Sequence, residues 1–302
     1  MALMIEVAFE SISPFLLLSS FERNVFLLLG KLARFFVVFG IYRLEREGLK
    51  ILLWFLLFMR TIQKVLVHCG TGKRFLVKSI EDDFHTSFGT ISVSEMKSGK
   101  GIVESSKKDK FIVLEPSFVD LLAEMQRGPQ VITAKDIGWI IAKTGVNRES
   151  RVVDAGGGSG ALCFSLANIC KEVFVYEVNK EHFTILEKNK KMFGFTNVTL
   201  KHESVYTGLA ERDVDVVTLD LAEPWKALEG VEKALKNGGF LVVYLPNMLQ
   251  VKEFIDALHG SRIRLLEMVE VLERQWKVEE KILRPEFEML GHTGFLLLGR
   301  KM

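Results

Sequence analysis

Three groups of residues in this chain have the types and spacing to do chemistry. The first is Val152–Ala161, VVDAGGGSGA, in which an apolar run enters Asp154 and is followed by glycines at 156, 158 and 160 and then by a helical pattern. Glycines let a backbone turn sharply and approach a ligand with no Cβ in the way. Gly156, Gly158 and Gly160 fit the spacing G-x-G-x-G, whereas Gly156, Gly158 and Ala161 fit G-x-G-x-x-G/A. The loop by itself therefore admits two classes of nucleoside cofactor. The second group is Glu177, which ends the run VFVYE seventeen residues past Gly160. A carboxylate there accepts both ribose hydroxyls of an adenosine in either class. The third is Asp220, at the end of an apolar run in the sequence LDLAEPW, an acid and an aromatic beside a proline.

Bringing these residues together requires a regular scaffold. After Arg127 strand and helix patterns alternate. Strands are expected at Arg151–Ala155, Glu172–Glu177, Val198–Lys201, Asp215–Leu219 and Gly239–Tyr244, and helices at Ser159–Ile169, Lys180–Phe193, Pro224–Leu235 and Met248–Leu258. This alternation predicts an α/β fold with a doubly wound, mainly parallel sheet. Such sheets bind ligands beyond the carboxyl ends of their strands, where all three groups fall. Near the C-terminus the rhythm stops. Ile263–Val278 and Gly294–Arg300 read as strands without a crossover helix between them, so they should pair as an antiparallel hairpin on the sheet edge.

Five parallel strands finished by an antiparallel pair is the class I methyltransferase (Rossmann-like) form of the fold, whose cofactor is S-adenosyl-L-methionine. Asp220 favours the same class. An acid beside Pro224 and Trp225 suits transfer to an amino-bearing base and has no use in a nicotinamide enzyme. An NAD-binding oxidoreductase is the competing class. It rests on the second glycine spacing alone and would need a hydride-relay His or Tyr–Lys pair, which no strand end supplies.

Upstream, Lys64–Cys69, Phe75–Ser79, Thr90–Val93 and Phe111–Leu114 are short apolar runs punctuated by glycines, the pattern of a small β-rich module over 59–116. Ser117–Met125 reads as a linking helix (117–126) capped by Ser117 or its neighbour, which leaves 127–302 as the methyltransferase domain. Residues 1–58 differ in texture. Thirty-eight of them are apolar, yet the longest uncharged run, Ser11–Phe21, has eleven residues. Crossing a bilayer takes about 20 predominantly apolar residues, and Lys31 and Arg34 interrupt the best candidate, Val25–Tyr42. No basic start or small-residue cleavage site marks a signal peptide. Three readings follow: a membrane-surface helix pair, an oligomerisation segment, or an upstream stretch foreign to the natural protein. The last is preferred, because an ordinary globular composition begins at Met59. A chain starting at Met59 is accordingly expected to fold, to remain soluble and to be as active as the full one. Loss of its cooperative melting transition or of its oligomeric state would overturn that expectation.

Charge excludes a strongly basic nucleic-acid module. Six basic residues face five acidic ones over 1–58, eleven face nine over 59–127, and 23 face 24 over 128–302. An RNA partner would need a local patch or a surface joined across subunits. Cys69, Cys163 and Cys170 have no C-x-x-C or Cys/His spacing, so neither a metal site nor a disulfide framework is indicated. Cys163 and Cys170 read as buried small hydrophobes of one helix, and a reducing cytoplasm fits.

Taken together, the motifs resemble those of the tRNA adenine-58 N1-methyltransferases, particularly the archaeal and bacterial single-subunit type. Arg127-Gly128-Pro129-Gln130 followed by Lys135-Asp136 is similar to that family's entry segment. Ala155–Leu162 resembles its glycine loop, Asp220 to Pro224 its aspartate–proline motif, and Tyr244-Leu-Pro, Gln250-Val251 and His292-Thr293-Gly294 its later blocks. Gly72-Lys73-Arg74 and Phe84-His85-Thr86 fit the family's small N-terminal module, and the likeness runs over about 61–302. It implies methyl transfer to N1 of a tRNA T-loop adenine, position 58 with 57 as a second candidate. Asp220 would be the catalytic residue. Gly156, Gly158, Ser159 and Gly160 would cradle the methionine half of the cofactor, Glu177 the ribose and Ser204-Val205 the adenine, with Gln130 ordering the entry strand. It also implies a homotetramer. A retargeted or non-catalytic paralogue is the alternative within the family. The departures are Thr133 in place of Tyr or His, Ala134 and Ala222 in place of Pro, and Ser204 in place of an acid.

Overall fold

A computed structural model describes residues 62–128, 130–279 and 281–302. The expectations for residues 1–58 lie outside the described residues. No described helix is long and apolar enough to cross a membrane.

The first elements form a small β layer. β1 (Lys64–His68), β2 (Arg74–Val77), β5 (Ile102–Glu104) and β6 (Lys110–Leu114) make an antiparallel sheet in the order β2-β1-β6-β5, while β3 (Phe84–Thr86) and β4 (Gly89–Ile91) pair separately. α1 (Val93–Lys97) follows β4. Leu66, Val77, Ile91, Met96, Val103 and Phe111 close a core of their own. Strands β3 and β5 and helix α1 escape the sequence reading, because each is only three to five residues long.

α2 (Phe118–Glu124) starts at Ser117 with a capping box, in which the Asp120 carboxylate accepts from the Ser117 amide. Its Leu121 and the following Met125 are buried in the core of the large layer rather than that of the small one. α3 (Ala134–Thr144) is absent from the sequence reading, although Ile137, Ile140, Ile141 and Thr144 repeat at helical spacing and Gly145 ends the helix at φ 63°.

The large sheet has seven strands. β7 (Arg151–Ala155), β8 (Glu172–Tyr176), β9 (Val198–Lys201), β10 (Val214–Leu219) and β11 (Leu235–Leu245) are parallel; β15 (Phe295–Lys301) runs against β11 and against the edge strand β12 (Ile263–Val269). The order is β12-β15-β11-β10-β7-β8-β9. Between strands lie α4 (Ala161–Ala167), α5 (Lys180–Phe193), a 3₁₀ turn (Pro224–Ala227) leading into α6 (Leu228–Ala234), and α7 (Met248–Ala257). Because side chains alternate across each strand, the sheet feeds two cores. Val152, Val173 and Val175 pack on one face with α3 to α5, and Val153, Tyr176 and Val217 pack on the other with α6 and α7.

Two expectations need correction. The stretch Ile263–Val278 is not one strand. β12 stops at Val269, and β13 (Trp276–Glu279) pairs with β14 (Ile282–Pro285) in a two-stranded arm of its own. The polar run Glu270, Glu273 and Arg274 interrupts the apolar pattern there. Cys170, though buried, lies beyond the end of α4 instead of within it.

Candidate active site

The parallel strands β7, β8 and β10 end side by side, and the loops leaving them build the site. After β7 the chain turns through Gly156, Gly158 and Gly160, with φ of 90°, 52° and 97°. The amides of Gly156 and Gly157 both donate to the Tyr176 carbonyl at the end of β8, at 3.0 and 3.1 Å. A Cβ on Gly156 would stand 2.0 Å from the backbone oxygen of Asp220, and one on Gly160 would stand 2.1 Å from the Phe164 ring. These glycines hold β7 against β10 and α4 closely enough to leave the loop's inner edge open.

Three carboxylates converge on that edge. Glu177 is buried; its Oε2 accepts from the Gly158 amide at 2.9 Å and its Oε1 from the Asn179 amide at 2.7 Å. Asp154 is 2% exposed and accepts the Thr218 hydroxyl. Burial pushes its pKa up to about 7, against the Thr218 hydrogen bond and with help from Asp220 and Glu177. Asp220 is half-buried, and burial with the nearby Glu177 charge pushes it to about 6. Its amide donates to the Ala155 carbonyl at 2.9 Å, but its carboxylate has no hydrogen-bond or ion-pair partner among the described residues. It is not a helix cap either, since Glu223 occupies the N-cap of the following turn.

The cleft is lined by Gln130, Val131 and Ile132, by Asp154 and Asp220, and by the glycine loop, with neither lysine nor arginine. A dinucleotide would place its pyrophosphate on this loop, beside Asp154 and Asp220. A sulfonium and an ammonium fit the same acids. The electrostatics thus separate the two cofactor classes that the glycine spacing leaves open, and they fit S-adenosylmethionine. No group of three His, Cys, Asp or Glu among the described residues is placed to hold a metal ion.

The remaining expected residues divide. Exposed Gln130 lies at the cleft mouth. Ser159 lines the cleft, yet its hydroxyl accepts the Gly128 amide at 2.9 Å and its carbonyl accepts from Asn189. Asn189, 2% exposed, also exchanges hydrogen bonds with both backbone groups of Gln126. Its place in α5 gives no sign of this latch between entry segment and glycine loop. Ser204 caps a 3₁₀ turn (Val205–Thr207) by accepting from the Tyr206 amide, and the Val205 side chain is in the core. Neither residue is among those lining the cleft around the glycine loop, and the Tyr206 amide is taken by Ser204. Asp154 is the acid that the sequence reading leaves out of the site.

A second polar cluster shares Tyr244 as a neighbour with Asp220. The Lys135 ammonium contacts both oxygens of fully buried Asp136, at 2.8 and 3.0 Å, and donates to Thr293 at 2.6 Å. Thr133 and Thr293 donate to Asp136 as well. Gly294 sits so close to the Tyr244 ring that a Cβ would lie 2.5 Å from it. His292 bridges Glu270 and the Pro246 carbonyl. Motifs separated by more than a hundred residues thus form one cluster. Gln250 donates to the Ala222 carbonyl at 2.8 Å and fixes the loop that carries Asp220.

The family model described as the tRNA methyltransferase complex GCD14 subunit matches residues 121–289. A tRNA (adenine(57)-N(1)/adenine(58)-N(1))-methyltransferase of Methanocaldococcus jannaschii is 33% identical over 259 residues, covering 76% of this chain and 92% of the relative. Among solved structures, an S-adenosylmethionine-dependent O-methyltransferase of Thermotoga maritima is similar with 32% identity and a TM-score of 0.69, covering 79% of this chain and 92% of that one. The tRNA (m1A58) methyltransferase of Aquifex aeolicus is similar with 27% identity and a TM-score of 0.65, covering 79% and 96%. With the class I sheet and an acid-lined glycine loop in place, these matches settle the family: the chain belongs to the tRNA adenine N1-methyltransferases of the GCD14 type.

Proposed function

We propose that this protein transfers a methyl group from S-adenosylmethionine to N1 of adenine 58 in the tRNA T-loop, with adenine 57 as a second target. The observation that carries the reading is Asp220, an unpartnered carboxylate among the described residues, held at the mouth of the acid-lined loop. Catalysis is assigned to 127–302.

S-adenosylmethionine, when bound, supplies an electrophilic methyl on a positively charged sulfur. Adenine N1 already carries an in-plane lone pair, so no strong base is needed. The chain's task is to hold the reacting atoms in line. Asp220 accepts a hydrogen bond from the adenine amino group and stabilises the positive charge that the base acquires. Gly156, Gly158 and Gly160 let the backbone approach the methionine half, while Glu177 keeps free lone pairs for the ribose hydroxyls. A paired base does not present N1, so the target nucleotide leaves its stack. Tyr244 is buried in one core and Trp225 is partly buried against the other, which favours a structural role for both rings over stacking on the base.

The acids also set a pH dependence. A cationic ligand prefers ionised carboxylates, so protons taken up by Asp154 below about pH 7 and by Asp220 below about pH 6 must leave on binding. Affinity for S-adenosylmethionine is expected to fall as pH drops from 8 to 5, by up to about tenfold per pH unit for each proton released. S-adenosylhomocysteine, without the sulfonium charge, should lose less. Calorimetry across that range checks this, and parallel flat profiles for the two ligands would contradict it.

Self-association is part of the proposal. The β13–β14 arm exposes Trp276, Val278 and Leu283, and Phe287 lies just past it, each at least 56% accessible. An isolated two-stranded hairpin is marginal by itself, and a contiguous apolar surface marks a contact. A homotetramer joined through such arms would gather a basic RNA groove from chains that are individually near neutral. Free Cys69, Cys163 and Cys170 fit the reducing cytoplasm as its compartment.

The acceptor class is tested by incubating the protein with methyl-labelled S-adenosylmethionine and unmodified tRNA. Label in RNA as 1-methyladenosine is expected. Label confined to protein, small molecules or another base refutes the reading.

A further inference from the structure

Behind the ribose acid, on the opposite face of the sheet, lies a charged network that the proposed chemistry does not use. The Tyr176 hydroxyl donates to Glu211 Oε2 at 2.6 Å and accepts from Lys201 Nζ at 2.9 Å and from the Ala210 amide at 3.3 Å. Lys201 also pairs with the other Glu211 oxygen and lies 4.8 Å from the centre of the Tyr176 ring. Tyr176 and Glu211 are buried, and the Lys201 side chain is mostly so. Burial opposes charge on Lys201 and Glu211, but their mutual contact and the tyrosine hydroxyl outweigh it, holding the lysine above and the acid below their ordinary values. A buried ion pair is weak evidence of stabilisation, because desolvation offsets much of the attraction. Its presence here asks for a use other than stability.

Its attachments indicate that use. The Tyr176 carbonyl receives the Gly156 and Gly157 amides. The next residue is Glu177, whose amide donates to the Lys201 carbonyl at 3.1 Å. Through Glu211 and Ala210 the same network grips the far end of the loop that carries Ser204 and Val205. Three segments proposed to meet the cofactor, two of them its adenosine half, are therefore referenced to one tyrosine. Those segments are the glycine loop, the ribose acid and the 204–211 loop.

We propose that Tyr176, Lys201 and Glu211 are positioning residues that fix the 204–211 loop relative to Glu177 and thereby set affinity for the adenosine half of the cofactor. The inference rests on the S-adenosylmethionine reading above. Glu211→Gln and Tyr176→Phe in the full chain test it by calorimetry at 25 °C, well below melting. Dissociation constants for S-adenosylmethionine and S-adenosylhomocysteine are expected to rise by the same factor, about 5- to 30-fold, which corresponds to losing one modest interaction. KM for S-adenosylmethionine should rise with them while kcat at saturation stays within about twofold, since the network touches no reacting atom. Lys201→Arg, which keeps the charge and a donor for Glu211, should lose less than either variant. A purely structural role would lower the melting temperature and leave both dissociation constants unchanged, and that result overturns the proposal. Should Glu211→Gln fail to fold, Tyr176→Phe carries the test, because it leaves the ion pair in place. Failure of the unmodified protein to bind S-adenosylmethionine would instead sink the cofactor reading itself.

Discussion

Asp220→Ala is expected to slow methyl transfer under single-turnover conditions by roughly a hundred- to a thousand-fold. That is about 3–4 kcal/mol of transition-state stabilisation, the usual loss on deleting one preorganised electrostatic partner. The fold should tolerate the change. The Asp220 amide keeps its bond to Ala155, the carboxylate holds no other described residue, and the N-cap position of the next helical turn belongs to Glu223. Burial raises this acid's pKa to about 6, so its ionised form has a cost in the folded state above that pH. Melting of the variant at pH 8 should therefore hold or rise slightly. S-adenosylmethionine should still bind, several-fold more weakly through loss of attraction to the sulfonium. Asp220→Asn keeps the shape and removes the charge, so it should fall with the alanine variant in rate. Near-normal single-turnover transfer by either would remove Asp220 from the mechanism.

Gly158→Leu is expected to abolish measurable binding of S-adenosylmethionine. Gly158 has a φ of 52°, a left-handed conformation that other residues reach at some strain, and its amide orients the Glu177 carboxylate. A leucine there would fill the ligand's place at the cleft. Gly156 is the less informative target. A Cβ at that position collides with the Asp220 backbone, so even alanine would disturb the strand ends and mix folding with binding. Unaltered calorimetric affinity in Gly158→Leu would contradict the placement of the cofactor on this loop.

What could be read from sequence follows the strength of local signals. α5 has the bounds expected of it, Lys180–Phe193, because Asn179 accepts the amides of Glu181 and His182 at its start and Gly194 turns left-handed at its end. The parallel strands were legible from their apolar runs, and the glycine loop, Glu177 and Asp220 from their place at strand ends. The misses are tertiary. Asn189 reads as an ordinary helix surface residue and is a buried clamp, because its partners, Gln126 and Ser159, lie at least 30 residues away. Asp154 reads as the end of a strand and proves to be a raised-pKa acid inside the site. Lys201 and Glu211 carry no motif, and only the fold brings them onto Tyr176. Helix α3 had a signal in Ile137, Ile140, Ile141 and Gly145.

The central claim, that this site methylates N1 of adenine 58, is tested most directly by mapping the product on a tRNA transcript. The full-length protein and its Asp220→Ala variant would be incubated with S-adenosylmethionine and two transcripts, one unmodified and one carrying guanine at position 58. Digestion with mass spectrometry then locates every methyl group. The account predicts 1-methyladenosine at position 58 of the unmodified transcript, little or none from the variant in the same time, and loss of that product from the substituted transcript except for any at adenine 57. Methylation at another atom or outside the T-loop, or an equal yield from the variant, would contradict it.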